Sequence, residues 1–120
     1  MFPLPSLSRV EEMAKNDLQG ALDLLILKSL SQLGEMHGYG IAMHIEEVSD
    51  ALLTVEEGSL YPALHRMEQS GWVRAAWAVT EASRKAKFYA LTAAGRKQLA
   101  AREKNWEQVV KGVQAILRFA

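Results

Sequence analysis

Residues 54–71 read TVEEGSLYPALHRMEQSG, and the rest of the chain is best understood outward from this stretch. Leu60, Ala63, Leu64 and Met67 recur at helical spacing and form one apolar face. At about 100° per residue, Pro62, His65 and Gln69 fall on the opposite face, with Tyr61 and Arg66 flanking them. These side chains suit base edges and phosphates: Arg and Gln offer fork or amide geometry, and His and Tyr each offer one polar tip. Pro62 is tolerated only early in a helix, so the spacing predicts a start near Gly58 or Ser59. Thr54 with Glu57 three residues on is a capping-box pattern that allows an earlier start. Gly71 is the stop signal. An ordinary amphipathic surface helix would satisfy the same pattern, so the neighbouring segments decide its meaning.

Upstream, residues 18–33 are the most apolar segment. Leu18, Leu22, Leu25, Ile26 and Leu33 make one face, and Leu24 and Leu27 lie on the other. A helix apolar on both sides is covered on both sides, by another helix or another subunit. Gly34 breaks it, residues 35–38 connect, and a second helix is expected over 39–48 with Ile41, Ile45 and Val48 as its apolar face. Two helices joined by a short connection, the second with a polar face, form a helix-turn-helix pattern. Ahead of all this, residues 1–7 read as a loose arm. Ser8 with Glu11 marks a short helix over 9–16.

After Gly71 the period changes to two. Val73, Ala75, Trp77 and Val79 alternate along one strand, and residues 85–91 form a second, with Phe88 and Tyr89 on opposite faces. Trp72 and Trp77 are out of phase, so at most one faces the core. The connection at 80–84 is short enough for a hairpin but lacks Gly, Asn and Pro, which leaves its turn type open. Arg84, Lys85 and Lys87 cluster at the tip and returning strand, diluted by Glu81. A basic hairpin behind a polar-faced helix makes a winged helix-turn-helix, with the wing along a phosphate backbone; a solvated charged turn is the plainer alternative.

Thr92 caps a last helix over 93–118. Leu99, Trp106, Val113 and Ala120 repeat every seven, with Val109 and Ile116 at the intermediate position and Arg102 there in the first heptad. This seam is available to the second face of residues 18–33, in the same subunit or in a partner. The expected fold class is mainly α with a small β-hairpin. Three parts are expected: an arm over 1–17, a winged helix-turn-helix domain over 18–91, and a C-terminal dimerisation helix over 92–120.

The composition narrows the function. With 120 residues, 49% hydrophobic and 23% charged, the chain suits one globular domain with a modest core. It has no cysteine, which removes disulfides, zinc-thiolate sites and thiol catalysis and fits a reducing cytoplasm. Its net charge is +0, so any nucleic-acid binding must rest on local patches. The first residues, MFPLPSLSRVEE, do not read as a signal peptide, and no apolar run is long enough to span a membrane. No nucleophile–base pair and no Gly-rich phosphate loop is present. His37, His44 and His65 are too dispersed for a metal site. The chain therefore reads as a non-enzyme without cofactor or metal.

Four segments together resemble the PadR family of transcriptional regulators: LQGALDLLILKSL at 18–30, MHGYGIAMHI at 36–45, GSLYPALHRMEQSGWV at 58–73 and RKAKFYALTAAGRKQL at 84–99. The resemblance implies a homodimeric winged-helix repressor that binds an inverted-repeat operator in double-stranded DNA, with the first and last helices making the dimer. It places Ser59, Tyr61, Pro62, His65 and Arg66 on the recognition helix, Arg84, Lys85 and Lys87 on the wing, and His37, Gly38 and Tyr39 at the start of the second helix. The implied DNA contacts are then Tyr39, Ser59, Tyr61, Pro62, His65, Arg66, Arg84, Lys85 and Lys87. The implied dimer residues are Leu24, Leu27, Leu99, Trp106, Val109, Val113 and Ile116. Some family members answer to small aromatic compounds near the dimer interface, and Trp106 is the position that would carry this over. Glu56 and Glu57 depart from the family pattern; they suit the helix dipole but repel a nearby phosphate. Those acids and the neutral net charge favour the alternative, a winged-helix protein-interaction module without DNA specificity.

Overall fold

The computed structural model describes residues 21–119. The arm, the short helix expected over 9–16, Leu18 and Ala120 lie outside the described residues. Helix α1 covers residues 21–33. There follow β1 (Met36–His37), α2 (Gly38–Val48), α3 (Glu57–Gln69), β2 (Val73–Val79), β3 (Lys85–Leu91) and α4 (Ala93–Arg118). The strands form one antiparallel sheet in the order β1-β3-β2. The hairpin of β2 and β3 is the one expected. Strand β1 is an addition: Met36 and His37 pair with Tyr89 and Phe88. Two residues are too few to show an alternating pattern, so the sequence reads there only as a connector.

The helix ends follow local chemistry. Gly34 has φ +79° and its N–H donates to the Leu30 carbonyl at 2.9 Å, closing α1. Helix α2 opens on His37, whose Nδ1 accepts from the Gly40 N–H at 3.0 Å. It closes without a glycine: Asp50 and Ala51 both take positive φ, 51° and 62°, and donate to the Glu47 and Glu46 carbonyls. Gly71, with φ +80°, closes α3 in the same way onto Glu68, and the Trp72 N–H follows onto Met67. Thr92 caps α4 as expected. Its hydroxyl accepts from the Gly95 N–H at 3.0 Å and donates to the Gly71 carbonyl at 2.6 Å, joining the ends of α3 and α4. Helix α3 begins at Glu57 with Glu56 as its cap residue and no side-chain cap, so the Thr54–Glu57 box is not formed.

The core lies between α1, α2, α3 and the sheet. It gathers Ile26, Leu27, Leu30, Ile41, Ile45, Leu60, Ala63, Leu64, Met67, Val73, Tyr89, Leu91 and Leu99. The expected apolar faces of α2 and α3 are confirmed, apart from Val48, which is exposed at the end of α2. The face of α1 is corrected. Leu27, expected on the side away from the core and assigned to a dimer interface, is 0% exposed in the single chain. Leu22, Leu24 and Leu25 sit half-buried at the margins of the core. A helix with leucines all round does not declare its inner face by hydropathy alone. Leu99, also assigned to the dimer, is likewise buried within the chain.

The molecule measures 60 × 30 × 29 Å, with a radius of gyration of 16.8 Å. A compact domain of 100 residues has about 13 Å. The 26-residue α4 produces the difference: its first turns pack and the remainder projects.

Candidate nucleic-acid interface

Because Leu60, Ala63, Leu64 and Met67 are buried, α3 turns Ser59, Tyr61, Pro62, His65 and Gln69 to solvent. This is the polar face read from the sequence; Glu57, also exposed, lies at its first turn. Tyr61 is held where α3 meets α2. A Cβ at Gly38 would lie 2.7 Å from Tyr61 Cε1, so only glycine lets the ring rest on the start of α2. Beside it, His37 stacks with Tyr39 at 6.4 Å and meets the Phe88 ring edge-on at 5.2 Å. Tyr39 itself is exposed. Tyr39 and Tyr61 are thus both exposed around the start of α2.

Two of the expected contacts are placed differently. Arg66 does not stand on the outward face. Its guanidinium forks onto Asp23 of α1, with Nη1 to Oδ2 and Nη2 to Oδ1 both at 2.9 Å. The Asp23 hydrogen bonds hold the Arg66 guanidinium above its ordinary pKa, against the effect of burial. Lys87 does not reach the wing tip. Its Nζ is bound to Glu68 Oε1 of α3 at 2.9 Å and lies 5.9 Å from the Tyr89 ring centre. That hydrogen bond raises the Lys87 pKa, while burial raises that of Tyr89. The helical angle places Arg66 beside the outward face, and the strand position places Lys87 behind the wing tip, but long cationic side chains swing toward the nearest carboxylate.

Arg84 and Lys85 remain exposed at the wing and have no ion pair among the described residues. The turn that carries them is now defined. The Ser83 N–H donates to the Thr80 carbonyl at 2.9 Å, the Thr80 N–H to Arg84 at 2.8 Å, and Ser83 takes φ 58°. It is a three-residue loop with its last residue left-handed, a place usually given to glycine. Val73 and Ala75 pack on the core, but Trp77 and Val79 pass beyond it and are exposed, with Trp77 opposite Lys87 and Val79 opposite Lys85. Trp72 is the tryptophan that packs, and Arg102 lies 5.0 Å from its ring. The opposing charge sits on and around the α2–α3 connection: Glu46 and Glu47 in the last turn of α2, Asp50 and Glu56 on the connection and Glu57 at the start of α3 are all exposed, and no Lys or Arg occurs from 38 to 65.

A three-helix core with a helix-turn-helix, a solvent-facing second helix and a basic hairpin behind it defines a winged helix-turn-helix protein. The comparisons agree. The model of the Transcriptional regulator PadR-like family matches residues 26–101, and the chain belongs to that family. A transcriptional regulator from Clostridium thermocellum is 26% identical, with a TM-score of 0.77 over 86% of this chain and 99% of that one. A PadR-like transcriptional regulator from Bacillus cereus is 28% identical, with a TM-score of 0.69 over 91% and 99%. An uncharacterized protein of Lysinibacillus sphaericus is 26% identical over 98 residues, 81% of this chain and 89% of that one. The family is one of DNA-binding transcriptional regulators, not of enzymes. Among the described residues, no helix is long and apolar enough to cross a membrane.

Proposed function

We propose that the chain acts in the cytoplasm as a sequence-specific, homodimeric repressor of an inverted-repeat operator. The observation that carries this is the exposed polar face of α3 lying in one structure with a wing whose Arg84 and Lys85 side chains have no ion pair among the described residues. Ser59, Tyr61, Pro62 and His65 would read base edges, Tyr39 would steady the backbone, and Arg84 and Lys85 would neutralise phosphates. Dimerisation is supported by Trp106, Val109, Val113 and Ile116, which expose an apolar line on α4. Large exposed apolar side chains aligned on one helix favour burial against a second copy. Two recognition helices related by a two-fold axis would enter grooves about 34 Å apart. A small aromatic effector, if one acts, would meet the same surface at the Trp106 indole.

One observation favours a protein partner in place of DNA, namely the exposed acids around the α2–α3 connection, which repel phosphate. The deciding experiment titrates pooled genomic fragments with the purified protein at two salt concentrations and sequences what is retained. Enrichment of a two-fold-symmetric site, weakening steeply with salt, supports the repressor. No enrichment at either salt supports the protein-interaction module.

A further inference from the structure

Among the described residues, Asp23 is the one acidic side chain in the buried core, with its side chain only 4% exposed. A carboxylate is costly to bury unless it is fully paired. Here both oxygens are taken by Arg66 of α3 at 2.9 Å, and Arg102 of α4 approaches Oδ2 at 3.7 Å. The Arg102 guanidinium also lies 5.0 Å from the Trp72 ring centre. One buried carboxylate thus touches the recognition helix and the long terminal helix together. The fork of Arg66 fits it in one orientation only, which fixes the roll of α3 about its axis. The same bonds keep that cation from the groove that α3 would occupy.

We propose that Asp23 is a positioning residue of the DNA interface: it holds Arg66 back from the phosphates and sets the face that α3 presents. The inference rests on the DNA-binding reading. An arginine released from Asp23 is long enough to find a phosphate, and a phosphate contact adds affinity for every sequence alike. Asp23 thereby favours discrimination over raw affinity, and Arg66 contributes to DNA binding as a strut.

The test measures binding to operator and to random duplex across a salt series, for full-length wild type, Arg66→Ala, Asp23→Asn and the double variant, at a temperature where circular dichroism shows each folded. Wild type and Arg66→Ala should share one salt slope on random duplex. Asp23→Asn should steepen it by about 0.9 per subunit and lower the operator-to-random ratio about tenfold. The double variant should return to the wild-type slope, because the added contact is Arg66 itself. A merely structural role lowers the unfolding temperature of Asp23→Asn and leaves its slope unchanged, which overturns the proposal. A shallower slope for Arg66→Ala overturns it as well, since Arg66 would then already hold a phosphate, and this arm decides the matter even where Asp23→Asn fails to fold. A steep slope that persists in the double variant is a third contrary result, because the gain would come from lost Asp23 charge alone. Absence of salt-dependent DNA binding by wild type overturns the DNA-binding reading and this inference with it.

Discussion

In the first turns of α4, Gly95 and Leu99 are buried, Arg102 lies against Trp72, and Glu103 holds Lys28 of α1 at 2.8 Å. Beyond them, Trp106, Val109, Val113, Ile116 and Leu117 stand in solvent, with Ile116 77% exposed. The two halves belong to one helix and share one seven-residue apolar repeat. Their different burial shows that a repeat reports which side of a helix must be covered, but not by what. The same distinction sorts the proposed dimer residues. Leu27 and Leu99 belong to the fold of the single chain, Leu24 lies half-buried at its margin, and Trp106, Val109, Val113 and Ile116 are exposed.

Substitutions in the two halves separate folding from assembly. Leu99→Ala removes a buried side chain and should cost about 2–5 kcal/mol in urea unfolding. A loss far below that would mean the proximal half is held less firmly than its burial implies. Val113→Glu places a charge on the projecting half. On the proposed dimer it should move the sedimentation profile to monomer and weaken operator binding about 100-fold through lost bivalency. The folded monomer should keep its circular dichroism. A dimer that survives this change would place the interface elsewhere.

Legibility in the sequence followed the reach of each interaction. Capping by Thr92, the stops at Gly34 and Gly71 and the apolar face of α3 are decided within about one helical turn, and each was readable. Arg66 was not, because its angle on α3 is local while its partner Asp23 lies on another helix. Lys87 fails for the same reason: Glu68 reaches it only after β3 has folded back beside α3. Leu27 fails for a different one, since leucines on every side of α1 leave its inner face unmarked. Trp77 obeys its alternation, yet the wing simply outruns the core. The polar face of α3 and the basic tip were therefore foreseeable, whereas the division of the cations into paired and exposed ones required the fold.

Two smaller perturbations sharpen the boundary between the halves of α4. A Cβ at Gly95 would overlap the Trp72 carbonyl oxygen, the atom to which the Thr92 N–H also donates at 3.1 Å. Gly95→Ala should therefore push α4 off the end of α3 and cost about 1–3 kcal/mol, despite the better helix propensity of alanine. A gain in stability would show that this end of α4 shifts freely. Glu103→Gln tests the last proximal contact. The Lys28 and Glu103 side chains are 48% and 37% exposed, so water screens their attraction strongly. Breaking the pair should cost less than about 1 kcal/mol, and that small cost should fade as salt is raised. A larger, salt-insensitive loss would mean that Glu103 anchors the projecting arm directly. The small expected effect instead assigns the direction of the arm to Leu99, the close approach at Gly95 and the Arg102 contact with Trp72.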